Sequence, residues 1–381
     1  MHRNLIGELR SRSLRHIVYL VVTAMALITV AAPTKADTAA NFYRGKQMTL
    51  IISSGVGGGY DLYARLVAQY MSHFIPGHPV IVPKNMPGAA AAVAAQYMYN
   101  VAPKDGLTIA TLGQNLPLAQ ILQPGLLHFD MSKFNWIGNV DEDNNVTIAW
   151  HTSGIKTIQD VFTKELIIGA QGINSTSEQY PLVMNNVLGT KFRIITGFSG
   201  TQSIALAIER GEVNGLGSDS WATIRAEKRQ WIRDKKIRVL VQIGRKREPD
   251  LPNVPLLTDL AQNRAERKVF EFISAGTVIG RPILTTPGVP PDRVALLRKA
   301  FNETMKDPAF LAAARRAHLS IKPVSGVDLQ NYVARIVAAG PQTVSLVKAA
   351  LSTNSPFRCA EVVKDRSLCA KSSPKHDRKG R

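Results

Sequence analysis

A short apolar run, a glycine-rich loop and an amphipathic segment follow one another early in the chain. The run is MTLIIS (48–53), the loop is GVGGGYD (55–61), and the next segment carries apolar residues at every third or fourth position up to Phe74. The run is typical of a buried parallel strand and the spaced pattern of a helix, with Asp61 well placed to cap that helix. This order of elements restricts the fold to the α/β class.

The same order recurs, so the chain divides into two halves. The predicted strands lie at 48–53, 79–84, 107–112, 166–170, 192–196 and 237–244, and the predicted helices at 89–100, 175–188, 202–210, 292–305, after Pro308 and at 327–351 with an interruption near Pro341. Two such halves indicate a bilobal α/β protein with two doubly wound domains. Ligands in such sheets bind beyond the carboxyl ends of the strands, so the loops there are expected to face a shared cleft.

The N-terminus is laid out as a signal peptide. Arginines from Arg3 to Arg15 precede an uncharged apolar run at 17–32, and the small residues Thr34 and Ala36 follow on either side of Lys35. The run is shorter than the roughly 20 residues that a membrane anchor needs. We predict cleavage near Ala36 and a periplasmic protein, with an uncleaved anchor as the alternative. The predicted divisions are 1–36 for the signal peptide, 37–139 plus 274–351 for lobe 1, 140–273 for lobe 2 and 352–381 for a basic C-terminal tail.

Charge narrows the choice of partner. The 47 Lys and Arg residues against 28 Asp and Glu residues give a net charge of +19, which favours an anionic partner. The basic residues are spread along the chain and concentrated at 225–247 and in the tail. Because the chain is predicted to be exported, a small anionic solute or anionic lipid explains the charge better than nucleic acid does.

The two cysteines, Cys359 and Cys369, both lie in the tail among polar and charged residues, where neither is expected in a core. In an oxidising compartment the simplest expectation is that they form a disulfide with each other; an unpaired, disordered tail is the alternative. A zinc site needs four ligands and only His376 is close, so no metal is predicted.

The glycine loop is the strongest chemical feature. Glycines let a ligand approach the backbone closely, and the N–H groups at a helix N-terminus favour anions. A dinucleotide fingerprint is absent, because its third glycine position holds Tyr60 or Leu62, and no GxxxxGK[ST] loop occurs. Carboxylate binding is therefore the leading interpretation, ahead of a plain tight turn or nucleotide binding.

Further donors follow strands of the second half. The loop QGINSTS (171–177) offers amides and hydroxyls at the start of a helix, although these residues also suit a purely capping role. The loops GFSG (197–200) and SDS (218–220) are predicted to complete the same rim.

The sequence gives little support for a catalytic function. The chain has no GxSxG elbow and no HExxH motif, and its histidines are scattered. The acidic run 141–143 lacks the spacing of a calcium loop and is interpreted as a solvated segment. We predict neither an enzyme nor a cofactor.

Several collinear segments resemble the Bug family, the extracytoplasmic solute-binding receptors of tripartite tricarboxylate transporters. They are GGGYDLYAR (57–65), NMPGAAAAVAAQYMYNVAPKDG (85–106), GTKFRIITGFSGTQSIALAIERGEVNG (189–215), the Trp221 and Trp231 pair, REPDLPNVPLLTDL (247–260), GVPPDRVALLRKAF (288–301) and MKDPAF (305–310). The resemblance implies a bilobal periplasmic-binding-protein-like fold. It also implies closure over a carboxylate-bearing solute, which is then presented to a membrane permease.

The resemblance places Asn85, Gly88 and Ala89 in a second ligand loop, with Gln114 and Asn115 lining the cleft beyond it. The sequence departs from the family pattern at Val56, Ala90, Ala91, Val93 and Thr286, so the identity of the solute is left open. The full set of predicted ligand contacts is Gly57, Gly58, Gly59, Tyr60, Asp61, Asn85, Gly88, Ala89, Gln114, Asn115, Gln171, Asn174, Ser175, Thr176, Ser177, Phe198, Ser199, Asp219 and Ser220.

The function predicted is that of a periplasmic receptor for a small carboxylate, with permease subunits of a tripartite tricarboxylate-type transporter as its partner. Two alternatives stay open. One is a ligand sensor that docks on the ectodomain of a signalling receptor. The other is an exported enzyme that acts on a carboxylate.

Overall fold

The computed structural model describes residues 39, 41–123, 125–172, 175–353 and 357–371. The predicted signal peptide at 1–36, the predicted contact Asn174 and the end of the predicted tail from 372 onward lie outside these residues.

Strands and helices alternate through most of the described chain. The strands are β1 (Gln47–Ile52), β2 (Val80–Asn85), β3 (Thr108–Thr111), β4 (Asn135–Asn139), β5 (Asn145–Trp150), β6 (Leu166–Gly169), β7 (Phe192–Ile195), β8 (Gly215–Ser220), β9 (Ile237–Ile243), β10 (Pro282–Thr285) and β11 (Val324–Ser325).

The helices are α1 (Gly59–Met71), α2 (Ala92–Asn100), α3 (Leu116–Leu122), α4 (Thr176–Val183), α5 (Thr201–Glu209), α6 (Trp221–Glu227), α7 (Arg229–Arg233), α8 (Arg264–Ser274), α9 (Gly276–Ile279), α10 (Pro291–Thr304), α11 (Pro308–Arg316), α12 (Gly326–Val337), α13 (Pro341–Ala350) and α14 (Cys359–Val362).

Lobe 1 is built on a sheet of order β11-β4-β10-β3-β1-β2. Strands β2 and β3 both run parallel to β1, and Ile52 at its end pairs with Asn85 and with Thr111. The loops that follow these three strands therefore leave from one edge of the sheet. Strand β10 is antiparallel to its neighbours β3 and β4.

Lobe 2 is built on a sheet of order β7-β6-β8-β5-β9. Strand β6 runs parallel to β7 and β8, whereas β5 is antiparallel to β8 and β9. The chain crosses between the lobes after β4 and again before β10. The strands next to these crossings, β5 and β10, run against the direction of their neighbours, as does the two-residue strand β11 at the edge of lobe 1.

Each sheet is covered on both faces, which gives two apolar layers per lobe. In lobe 1, α1 and α10 bury one face around Leu50 and Phe301, and α2 and α12 bury the other around Trp136. In lobe 2, α4 and α8 bury one face around Tyr180, and α5 and α6 bury the other around Trp221. The predicted fold class, two doubly wound α/β lobes with a cleft between them, is confirmed.

The C-terminal helices do not divide between the lobes as the sequence predicted. Helix α13 lies within the range predicted for lobe 1, but its Leu346 and Val347 pack into the same apolar cluster as Phe270 of lobe 2. The break at Pro341, whose ring cannot continue a helix, separates α13 from α12 and redirects it across the lobes.

The predicted tail is likewise more folded than expected. Val363 and Leu368 are buried in the core of lobe 2, and Lys371 forms a β-bridge with Asn263. The structure joins Cys359 to Cys369 by a disulfide with 5.8 Å between their Cα atoms. Both cysteines pack against this core, contrary to the expectation that neither would, because apolar residues are interspersed among the charged ones.

Candidate functional site

A cavity of about 470 Å³ lies between the lobes. It collects the loops after β1, β2 and β3 of lobe 1 and the loops after β6 and β7 of lobe 2. This is the edge at which the carboxyl ends of the parallel strands meet, as the sequence predicted.

Both predicted and unpredicted residues line this cavity. The predicted contacts on its wall are Tyr60, Gly88, Ala89, Gln114, Asn115, Gln171, Ser175, Thr176, Phe198 and Ser199. The remaining wall is formed by Ser53, Ser54, Pro87, Ala90, Ala91, Gly113, Leu116 and Gly197. None of the described side chains on this wall carries a charge, so the cavity offers neutral hydrogen-bonding groups beside apolar surface.

A second, smaller cavity of about 50 Å³ adjoins the first. The two share Tyr60, Gln114 and Thr176 among their lining residues. The predicted contacts Gly58, Gly59, Asp219 and Ser220 line only the smaller one, together with Arg281, which no sequence pattern indicated.

The predicted contacts Gly57, Asp61, Asn85 and Ser177 line neither cavity. Asp61 is also not the cap of α1. That position belongs to Gly58, and Asp61 lies inside the first turn, where its carboxylate accepts a hydrogen bond from the N–H of Gly57 over 3.0 Å. The negative charge at this helix N-terminus is thus supplied by the protein itself.

Asp61 is the centre of a polar cluster beneath the glycine loop. Its side chain accepts from Arg65 Nε and from Asn85 Nδ2, each over 2.9 Å, and Asn85 also donates to the carbonyl of Ser54. Burial disfavours the charge, but the bonds from Arg65, Gly57 and Asn85 outweigh it and hold the pKa of Asp61 below its usual range. Asp61 and Asn85 therefore stabilise the glycine loop by bonds to its backbone on the side away from the cavities.

The loop after β6 is held together by its own hydroxyls. Ser175 Oγ donates to the carbonyl of Gly172 over 2.6 Å and lies 2.9 Å from Ser177 Oγ, which accepts from the N–H of Gln171. Ser177 is therefore committed to shaping the loop. Thr176 reaches the cavity wall at the first position of α4.

The loop after β2 has an unusual backbone. Ala89, Ala90 and Ala91 have φ angles of 42°, 49° and 80°, all in the left-handed region, and all three line the main cavity. Left-handed geometry costs a residue with a Cβ roughly 1–2 kcal/mol. Strain of this kind collects at functional sites, where the surrounding structure holds it in place.

The floor of the cleft is polar and links the two lobes. Tyr60 accepts a hydrogen bond from the N–H of Gln114 over 2.9 Å, and burial raises the pKa of its hydroxyl, which therefore stays protonated. Asn115 of lobe 1 donates to Gln179 of lobe 2, and Gln114 Nε2 reaches Asn145 Oδ1 over 3.4 Å. Asn145, like Arg281, was not predicted.

Arg281 is the buried cation of the smaller cavity, with 6% of its surface exposed. Its guanidinium lies 4.6 Å from the centre of the Tyr60 ring and donates to Thr223 Oγ1 of lobe 2 over 3.1 Å. Burial raises the pKa of nearby Asp219 to about 6, although Arg281 opposes this shift. Its contacts arise only from the tertiary fold, so nothing in the local sequence around Arg281 marks it.

The described residues contain no group of three or more His, Cys, Asp or Glu side chains placed to hold a metal ion. No helix within the described ranges has the length and apolar character needed to cross a membrane.

Comparison with known proteins agrees with this architecture. The sequence profile of a family described as "Tripartite tricarboxylate transporter family receptor" matches residues 63–342. A UPF0065 protein from the gbd 5' region of Cupriavidus necator is 26% identical over 295 residues, which are 75% of this chain and 82% of the relative. A UPF0065 protein of Agrobacterium vitis is 23% identical over 84% of this chain and 85% of its own length.

Three solved structures share the fold. MatC of Rhodopseudomonas palustris with bound malate has a TM-score of 0.63 at 18% identity and covers 80% of this chain and 99% of its own. R. palustris Rpa4515 with adipate has a TM-score of 0.62 at 18% identity and covers 80% of this chain and 97% of its own. The periplasmic binding protein BugD has a TM-score of 0.63 at 20% identity, covering 81% and 98%. The predicted resemblance is confirmed, because the family profile spans most of the lobes and both lobes have counterparts in these folds: the chain belongs to the family of tripartite tricarboxylate transporter receptors.

Proposed function

We propose that this receptor closes its two lobes over a small carboxylate in the main cavity and hands it to the permease subunits of a tripartite tricarboxylate-type transporter. The observation that carries the proposal is the cavity of about 470 Å³, to which both lobes contribute and whose described wall has no charged side chain. Such a site binds by hydrogen bonding and without covalent chemistry, and a neutral polar wall still suits an anion when its donors are fixed in advance.

The donors come from both lobes. Tyr60 and Gln114 approach from lobe 1, and Gln171 and Thr176 from lobe 2, so a solute in the cavity would be fully surrounded only in the closed form. A ligand that binds one conformation better shifts the population toward it. The solute itself would therefore stabilise closure.

The apolar part of the wall favours a solute with a short carbon skeleton. Pro87, Ala90, Leu116 and Phe198 provide that surface. The related folds that hold malate and adipate bind dicarboxylates of this kind, which makes dicarboxylates the first class to test. We further propose that the protein acts in the periplasm after cleavage near Ala36.

The test is thermal melting of residues 37–381 against malate, adipate, tricarboxylates, acidic amino acids and aromatic acids, with the matching amides as controls. A carboxylate at a hundredfold excess over its Kd should stabilise the protein by about 2.7 kcal/mol. The neutral amide of the same skeleton should give no shift. If no carboxylate shifts the melt and mass spectrometry finds no small molecule released on denaturation, the proposal is wrong.

Two variants that each delete one hydroxyl test whether the ligand binds in the main cavity. Tyr60→Phe and Thr176→Val each remove one hydroxyl from the wall, and loss of a hydrogen bond to a charged group, worth about 1.5–3 kcal/mol, should raise Kd by roughly 10- to 150-fold. Thr163→Val, at an exposed position of lobe 2, is the matched control. Unchanged affinity in both cavity variants would show that the ligand binds outside the main cavity.

A further inference from the structure

Gln202 joins the two lobes at the wall of the smaller cavity, outside the main one. It lies in the first turn of α5 in lobe 2, and its Nε2 donates to the carbonyl of Gly57 in the glycine loop of lobe 1 over 2.8 Å. A Cβ added to Gly57 would stand 3.5 Å from Gln202 Cγ, and one added to Gly58 would stand 3.4 Å from Thr201 Oγ1. The start of α5 therefore lies directly against the loop.

Two neighbours on α6 and just after it fix the orientation of the Gln202 amide. The second hydrogen of Nε2 goes to Glu227 Oε2 over 2.7 Å, and Oε1 accepts from Lys228 Nζ over 2.5 Å. A flipped amide would place its oxygen against the Gly57 carbonyl and the Glu227 side chain and its NH₂ against the ammonium. Because Glu227 and Lys228 belong to the same lobe as Gln202, contacts within lobe 2 orient the donor toward Gly57.

The peptide groups at Gly57 are held from two sides. Its N–H donates to Asp61 within lobe 1, and its carbonyl accepts from Gln202 across the cleft. The adjoining residues Gly58, Gly59 and Tyr60 line the smaller cavity. Any separation of the lobes must break the bond to Gln202 and leave the Asp61 cluster intact.

We infer that Gln202 is the latch of this receptor, a positioning residue that stabilises the closed form through the Gly57 carbonyl and is itself oriented by Glu227 and Lys228. This inference rests on the proposed closure of two lobes over a solute. It adds a hydrogen bond that joins protein atoms only, and the latch operates even when the cleft holds no ligand.

The test measures lobe separation with no solute present. Spin labels are attached at cysteines introduced for the exposed Lys299 of lobe 1 and Glu212 of lobe 2, with the native disulfide left intact. Double electron–electron resonance then compares the wild-type background with Gln202→Ala and Gln202→Glu. A net hydrogen bond shifts an equilibrium by roughly 2- to 10-fold, and the open-to-closed ratio should rise by that factor in Gln202→Ala.

Gln202→Glu should open the lobes further than Gln202→Ala does. It keeps an acceptor for Lys228 but turns a carboxylate oxygen toward the Gly57 carbonyl and Glu227. Leu206→Ala, one turn along α5 at a side chain that is 52% exposed, is the matched control and should keep the wild-type distances. Thermal melting checks that each variant is folded.

Wild-type distance distributions in both Gln202 variants would overturn the latch. A carboxylate that fails to bind would contradict the proposed function, yet it would leave these ligand-free distances as a separate result. The two ideas can therefore fail independently.

Discussion

Asp61 accepts a hydrogen bond from the N–H of Gly57, four residues before it, over 3.0 Å. A carboxylate of the protein thus occupies the side of the glycine loop where a bound anion was expected. The loop still borders the smaller cavity through Gly58 and Gly59. Its shape is therefore fixed before any solute arrives, and this preorganisation lowers the cost of binding.

Removing that carboxylate should destabilise lobe 1. Asp61→Ala leaves the Gly57 N–H without its acceptor and the Asn85 amide with only the Ser54 carbonyl, at a half-buried site, and hydrogen bonds to charged groups are worth about 1.5–3 kcal/mol. We expect the free energy of unfolding to fall by about 2 kcal/mol in urea denaturation. Glu212→Ala, which removes an exposed carboxylate 3.9 Å from Arg210, should change it by less than about 0.5 kcal/mol. Equal effects of the two variants would contradict the structural role of Asp61.

The strained alanine loop predicts a stabilising substitution. Ala90 has φ 49° and ψ 50°, a geometry that glycine adopts without the Cβ clash, so Ala90→Gly should stabilise the fold by about 0.5–1 kcal/mol. Ala334→Gly, at an exposed position in the right-handed helix α12, should instead destabilise it by about 1 kcal/mol. Chemical denaturation of both variants gives the comparison, and a shared sign would show that the loop is not strained.

Glu227 predicts how stability depends on pH. Burial and the negative charge of Asp219 raise its pKa from 4.5 to about 8, against the opposing effects of Lys228 and Arg281, and Asp61 adds to the rise. The folded protein therefore holds a proton that the unfolded chain has released, so the free energy of unfolding should fall as pH rises from about 4.5 to about 8.

Comparison with Glu227→Gln isolates this effect. The variant has no carboxyl to titrate, so its stability relative to wild type should increase as pH rises toward 8, measured by urea titration at several pH values. Glu271→Gln, at an exposed position of α8, should track wild type throughout. A constant difference between Glu227→Gln and wild type would contradict the raised pKa.

Local patterns predicted the strands that consist of an apolar run well. The apolar runs at 48–53, 166–170 and 192–196 became β1, β6 and β7 with ends shifted by one residue at most. The same reasoning missed β8, whose sequence GLGSDS has little apolar content, and β10, whose four residues follow a buried arginine. Both strands depend on their neighbours in the sheet for their conformation, and such context is invisible in a short window of sequence.

The functional site was likewise predictable from the sequence only in part. Loop position after a strand correctly brought Tyr60, Gln114 and Thr176 to one cavity, since the carboxyl ends of parallel strands share an edge. It did not distinguish residues that face the cavity from residues that support it, such as Asp61 and Ser177. Arg281 and Asn145 reach the floor through the lobe crossings, which only the tertiary fold defines.

We expect the disulfide to protect the segment between its cysteines from proteolysis without affecting the folding of the lobes. The bond between Cys359 and Cys369, ten residues apart, closes a short loop whose Leu368 is buried in lobe 2. Reduction should free the backbone of this segment, so that trypsin cleaves faster after the already exposed Lys364 and Arg366 while the lobes stay folded. The cleavage rate at these two residues with and without reductant is the measurement. Equal rates would show that packing alone holds the segment.

Adjacent glycines give the sharpest test of lobe closure. A Cβ at Gly59 would lie 2.3 Å from Thr223 Oγ1 of lobe 2 and 3.0 Å from Arg281 Nη2, whereas one at Gly58 would meet only Thr201 Oγ1 at 3.4 Å. Gly59→Ala should therefore hold the lobes apart, because Thr223 is fixed by its bonds to Ser220 and Arg281. Calorimetry with the carboxylate that gives the largest thermal shift should show at least about a tenfold weaker Kd, or roughly 1.4 kcal/mol, for Gly59→Ala. Gly58→Ala, the same chemical change one residue earlier, should stay near wild type; equal affinities would mean that the solute binds without the closure seen at Thr223.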